Sequence, residues 1–113
     1  MTDDQQQREH FRVRYPITKR PKVKIDGCQY QIVELSKGGL RMSTYLGLST
    51  SEPPETIYTE VTLACGLVRS ISASYVRRDR KEFVLAELQG ITPGDVMEEQ
   101  QYLIRNDPMF GRD

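Results

Sequence analysis

Asp26-Gly27 sits between two stretches in which apolar and polar residues alternate. Val23 and Ile25 alternate with Lys22, Lys24 and Asp26 before it, and Gln29 to Leu35 resumes the alternation through Tyr30 and Ile32. Alternation of period two puts every second side chain on one face of a strand. A two-residue type I′ turn needs positive φ at both central positions, which Asp-Gly accepts. A chain built around such a hairpin is held to an antiparallel sheet, because parallel strands need a much longer connection.

The same grammar runs on. Lys37-Gly38-Gly39 turns the chain into a third strand over Leu40 to Ser43. Residues 44–56, with Pro53-Pro54, read as a long loop, a length often tied to function or mobility in small domains. Ile57, Thr59, Val61, Leu63 and Cys65 alternate on one face of a fourth strand that Gly66 ends. Leu67 to Arg77 gives a fifth strand, residues 78–81 a turn, and Glu82 to Leu88 a sixth. Thr92-Pro93-Gly94-Asp95 reads as a helix start, with Thr92 as cap, Pro93 at the first helical position and Asp95 closing a capping box. Val96, Met97, Leu103 and Ile104 then cluster at helical spacing and are expected to pack on the sheet.

Upstream, residues 1–7 are polar, Gln-rich and expected to be disordered. Residues 8–20 read as an extended arm, with Pro16 and Pro21 arguing against helix and Phe11 and Tyr15 available to pin it down. The expected fold is all-β: a six-stranded antiparallel β-barrel with one C-terminal α-helix and an extended N-terminal arm. It occupies residues 8–106 as one domain, followed by a tail over 107–113, which suits a chain of 113 residues.

Charge is balanced in total, with 16 basic and 16 acidic residues, but not along the chain. Between Arg8 and Lys24 there are seven basic residues and one acid, Glu9. Arg77-Arg78-Asp79-Arg80-Lys81 is a second basic cluster. Local basic patches on a neutral chain favour a small anionic ligand over a long polyanion. A nucleic-acid-binding barrel should also show several exposed aromatics for base stacking, and only nine aromatics exist, with Tyr30, Tyr75 and Phe83 at structural positions. Cys28 and Cys65 form no motif and read as reduced thiols in a cytoplasmic protein. The one histidine, His10, lacks partners for metal ligation, no nucleophile and base are paired, and no cofactor motif is present, so an enzyme is not expected. No apolar run is long enough to span a bilayer.

Two motifs remain. Arg8 and Arg12 form R-x-x-x-R, and Glu34, Ser36 and Gly39 form E-x-S-x-x-G, 22 positions further on. Guanidinium forks meet paired acceptors on guanine edges and phosphates, a carboxylate accepts from guanine N1–H and N2–H, and a Ser/Gly turn offers a hydroxyl and open backbone. Gly38 and Gly39 are expected to supply positive φ, and also to let a ligand approach closely. Arg41 points away from Leu40 and Met42 and is a further candidate, with Arg14 and Arg20 as possible phosphate contacts.

This arrangement resembles the PilZ domain family, bacterial receptors for cyclic di-GMP whose signature is R-x-x-x-R followed by [D/N]-x-S-x-x-G. The resemblance extends through Leu40-Arg41-Met42, the segments Ala73 to Arg77 and Glu82 to Leu88, and Gln101-Tyr102-Leu103 near the C-terminus. Glu34 stands where the family has Asp or Asn, and Gln7 where many members carry another Arg. The resemblance implies a barrel that binds cyclic di-GMP through Arg8, Arg12, Glu34, Ser36, Gly38, Gly39 and Arg41. With no output domain in the sequence, such a receptor is expected to signal through a protein partner. The alternative is a degenerate member of the same fold, an interaction module that does not bind the nucleotide.

Overall fold

The computed structural model describes residues 12–44 and 52–107. Seven strands and one helix follow in order: β1 (Arg12–Arg14), β2 (Lys22–Ile25), β3 (Cys28–Ser36), β4 (Gly39–Thr44), β5 (Thr56–Thr62), β6 (Val68–Asp79), β7 (Glu82–Gln89) and α1 (Pro93–Asn106). The expected tails, and Gln7, Arg8, His10 and Phe11 of the arm, lie outside the described residues, apart from Asp107 at the end of the helix.

The β2–β3 hairpin forms as the sequence implies. Ile25 pairs with Cys28, and Asp26 and Gly27 both take positive φ, at 51° and 80°. All ladders are antiparallel, in the order β1-β3-β4-β7-β6-β5, with β2 also on β3. β1 and β2 lie in line along one edge of β3, because Arg12 to Arg14 pair with Ser36 to Glu34 and Lys22 to Ile25 pair with Gln31 to Cys28. Between them the chain leaves the edge as a short 3-10 turn, Ile17–Lys19. It is tied at both ends, by Tyr15 N–H to Val33 C=O at 2.9 Å and Ile32 N–H to Pro21 C=O at 2.8 Å. The arm thus contributes a strand where none was expected, which raises the count from six to seven.

The sheet curls into a half-barrel. Its two free edges approach where Thr59 Oγ1 donates to the Lys24 carbonyl at 3.0 Å, but no backbone ladder joins β2 to β5. Inside lie Val13, Tyr30, Ile32, Leu35, Met42, Ile57, Val61, Phe83 and Leu85 among others. Phe83 is the hub, with Tyr30 and Tyr75 packed edge-on at 5.8 and 5.9 Å. β5, the fourth of the expected strands, ends at Thr62, earlier than its alternation suggests. Leu63 and Cys65 belong to the turn that follows, closed by Gly66 N–H to Leu63 C=O. Both cysteines are free and half-buried.

α1 begins with the expected capping box. Asp95 N–H donates to Thr92 Oγ1 at 3.0 Å, and Thr92 N–H donates to Asp95 Oδ2 at 3.1 Å. The helix closes the core with Val96 and Leu103. Met97 and Ile104, expected beside them, are 39% and 59% exposed. The buried face is completed instead by Asp95 and Glu99.

Candidate functional site

The outer surface of β1, β3, β4 and β7 carries most of the candidate residues that are described. On β1, Val13 points into the core, so Arg12 and Arg14 point out. On β3, Leu35 points in and Glu34 out. The register sets Arg12 opposite Ser36 and Arg14 opposite Glu34. Arg41 lies across from Glu34 on the other side of β3, displaced by a bulge at Val33. One face therefore gathers residues from both motifs, although 22 positions separate Arg12 from Glu34.

Glu34 is the centre of this group. Its Oε2 is 3.7 Å from Arg12 Nε, and its Oε1 accepts from Arg14 Nη1 at 3.3 Å. Arg14 Nη2 reaches Glu82 at 3.5 Å. Arg41 Nη1 donates to Asp79 at 2.9 Å and lies 3.4 Å from Glu82, and Arg77 comes within 3.7 Å of Asp79. Four cations and three carboxylates thus form a ladder with a net charge of +1 (four minus three). The hydrogen bond from Arg41 is the main reason that the Asp79 carboxyl titrates below its ordinary range, with Arg77 adding to it. Arg14, Asp79 and Glu82 are members that the motifs did not name. Period two from Arg12 already put Arg14 on the same face, while Asp79 and Glu82 are brought in by the β6–β7 hairpin.

Ser36 and the two glycines form the turn into β4. The Ser36 hydroxyl donates to the Gly39 carbonyl at 3.1 Å, which orders the turn. The expectation of positive φ at Gly38 and Gly39 is not met; among the described glycines that conformation falls to Gly27, Gly66 and Gly90. Gly39 is needed for a different reason. A Cβ there would sit 2.5 Å from the Leu85 carbonyl oxygen, because β7 packs directly against it. Gly38 has open space around its Cα, and its carbonyl accepts from Leu88 N–H at 3.2 Å. Of the candidates, Arg8 lies outside the described residues. Arg12, Glu34, Ser36, Gly39 and Gly38 are contiguous, and Arg41 is adjacent but held by Asp79 and Glu82.

Among the described residues, no group of three or more His, Cys, Asp or Glu is placed to hold a metal ion, and no helix is long and apolar enough to cross a membrane. Compared with known proteins, the chain matches no family profile, no curated sequence and no solved structure.

Proposed function

We propose that this chain is a cytoplasmic cyclic di-GMP receptor of the PilZ kind, acting as an adaptor for a protein partner. The supporting observation is that Arg12 of the first motif meets the second motif on one face, beside Glu34 and across from Ser36. On this reading Arg8 and Arg12 grip guanine O6 and N7 and the phosphates. Glu34 accepts from guanine N1–H and N2–H, and the Ser36–Gly39 turn receives the ligand against bare backbone. Arg41 supplies a further positive charge at the rim of the same face.

The ion pairs already present on that face do not block such a ligand. Arg12 is 58% exposed on its side chain, and exposed pairs of this kind contribute about 0–1 kcal/mol. A charge-assisted bidentate contact to guanine is worth about 1–3 kcal/mol. The exchange of partners favours the nucleotide, and the ladder's residual positive charge attracts a dianion. A ligand seated on this face changes the surface offered to a partner, which is how an adaptor would signal.

Calorimetric titration tests this. Cyclic di-GMP is expected to bind, and cyclic di-AMP to bind far more weakly, because adenine presents a donor where guanine presents O6. Arg8→Ala and Arg12→Ala should each cost roughly 5- to 150-fold in affinity. Equal binding of the two nucleotides, or none of either, removes the reading. The interaction module without nucleotide binding then takes its place.

A further inference from the structure

A cavity of about 350 Å³ opens on the same side of the sheet, away from Ser36 and beyond Arg14. It is lined by Arg20, Val33, Ser43, Thr44, Lys81 and Glu82. Three features of the fold produce it. The chain between β1 and β2 leaves the edge of β3 and returns at Arg20-Pro21, so Arg20 stands at the end of the 3-10 turn. The bulge on β3 falls at Val33, which is 1% exposed yet does not belong to the core cluster. Val33 therefore forms an apolar wall on the outer side. The end of β4 and the β6–β7 turn supply the Ser43 hydroxyl and Lys81. Bulges recur where a sheet must re-aim side chains toward a bound group.

The polar groups here are unbalanced in one direction. Arg20 Nε is buried and has no hydrogen-bond partner among the described residues. A buried N–H on a cation without an acceptor is costly, and native proteins rarely leave one. Ser43 Oγ accepts from Gln31 Nε2 at 3.1 Å, which leaves its own proton to donate. Glu82, the one acid on the wall, is already engaged by Arg14 and Arg41. The cavity thus presents a guanidinium, an ammonium and one hydroxyl donor, with its single carboxylate neutralised from outside.

We propose that this cavity is a second anion site, separate from the Arg12–Glu34 surface, and that it takes the phosphoryl group of a small phosphate monoester. Donors that converge from three segments suit a tetrahedral dianion with three terminal oxygens better than a planar carboxylate. Arg20 meets two of those oxygens with its fork, Lys81 acts as a point charge, and Ser43 completes the set. The volume lies at the small end of small-molecule sites.

The test uses inorganic phosphate and methyl phosphate as probes, with chloride at matched ionic strength as control, followed by amide chemical shifts. Saturable shifts are expected at Arg20, Val33, Ser43, Thr44 and Lys81, with methyl phosphate at least as tight as phosphate. Arg20→Gln should weaken binding by about tenfold or more, Arg20→Lys by less, and Lys81→Gln by several-fold. Thermal unfolding of each variant verifies that the fold is kept. Arg20, offered by the sequence as a phosphate contact, is not part of the ion-pair ladder around Glu34 and lines this cavity instead, so cyclic di-GMP titrated into Arg20→Gln should bind as it does to the parent chain. Where the parent chain does not bind that nucleotide, the phosphate arms stand alone. The proposal falls if chloride reproduces the shifts, if no shift saturates, or if Arg20→Gln responds like the parent. It also falls if Arg20→Gln abolishes binding of both phosphate and cyclic di-GMP, because the two surfaces are then one site.

Discussion

A methyl group at Gly39 would lie 2.5 Å from the Leu85 carbonyl oxygen, whereas one at Gly38 would meet nothing within 4 Å. The two neighbours therefore respond differently to the same change. Gly39→Ala must push β4 away from β7, and overpacking of this kind costs about 1–3 kcal/mol. Gly38→Ala should stay within about 0.5 kcal/mol, as exposed substitutions usually do. Thermal unfolding of the two variants measures both, and equal losses would show that close packing at Gly39 is not the constraint. The motif drew attention to both glycines, but their reason was not readable, since nothing in the sequence tells that β7 packs against one of them. Glu34 is a second case. It was read as a ligand group, and the ion pairs to Arg12 and Arg14 add a cost of release. Glu34→Asp shortens the reach to both arginines and restores the residue typical of the resembling family, so cyclic di-GMP should bind it as tightly or tighter. On the proposed reading, Glu34→Ala leaves guanine donors unpaired and should lose about 1–3 kcal/mol of binding. An Ala variant that binds as well as the parent would mark Glu34 as only a partner for the arginines.

The elements followed from the sequence where a local rule decides them. The Asp-Gly turn, the alternation in β3, and the Thr92/Asp95 capping box are each set by neighbours within a few positions. The helix face was less readable. Val96 and Leu103 share a face, and so do Met97 and Ile104, since each pair is seven residues apart. Choosing between the two faces depends on Glu99, which looks like a surface residue in sequence but is 0% exposed. Asp95 has a similar hidden role. Besides capping the helix, it receives Arg69 Nε and Nη2 at 3.1 Å each, a bidentate pair that fastens α1 to β6. Asp95→Ala should cost about 0.5–1.5 kcal/mol for the lost hydrogen bond from Thr92 N–H alone, and more once Arg69 loses its partner. The pH dependence has a definite sign. The Arg69 hydrogen bond, foremost, holds the Asp95 carboxyl below its ordinary value. Its contribution is therefore complete above the unfolded pKa of about 3.9 and is lost as pH falls through the lower folded value. Urea unfolding at a series of pH values should show that acid loss reduced in Asp95→Asn. An unchanged acid limb would assign it to other carboxylates such as Asp79, whose pKa is also lowered.

At the scale of the whole molecule, one buried carboxylate joins three parts that are distant in sequence. Glu99 on α1 accepts from the Tyr15 hydroxyl at 2.5 Å, from Ala64 N–H at 2.7 Å and from Cys65 N–H at 2.8 Å. It ties the chain just after β1 to the helix and to the β5–β6 turn, across sequence separations of 84, 35 and 34 residues. No local pattern could have signalled this, because each member alone reads as an ordinary turn, arm or surface residue. The same distance explains why the half-barrel was foreseen in class but not in its closure. Tyr15 lies three positions after Arg12, so the clamp also fixes the root of the arm that carries the candidate arginine. Removing Glu99 would strand three donors at about 1–3 kcal/mol each, a large share of the 5–15 kcal/mol that stabilises a typical domain. Glu99→Ala is accordingly expected to unfold or nearly so. Tyr15→Phe is the more informative change. It deletes one donor to a charged acceptor and leaves two, for a loss of about 1.5–3 kcal/mol at neutral pH. Burial first, and the Glu99 charge second, raise the Tyr15 pKa above its ordinary value of about 10. The folded state thus favours neutral tyrosine. The stabilisation is full below the unfolded pKa and falls as pH climbs past about 10 toward the folded value. Tyr30 and Tyr75 are raised in the same direction, so the parent should lose stability steeply in alkali. Tyr15→Phe should start lower at neutral pH but decline less steeply above pH of about 10, so that the two stability curves converge. Parallel curves across that range would mean that Tyr15 ionises without consequence for the fold, and that the clamp does not hold the arm.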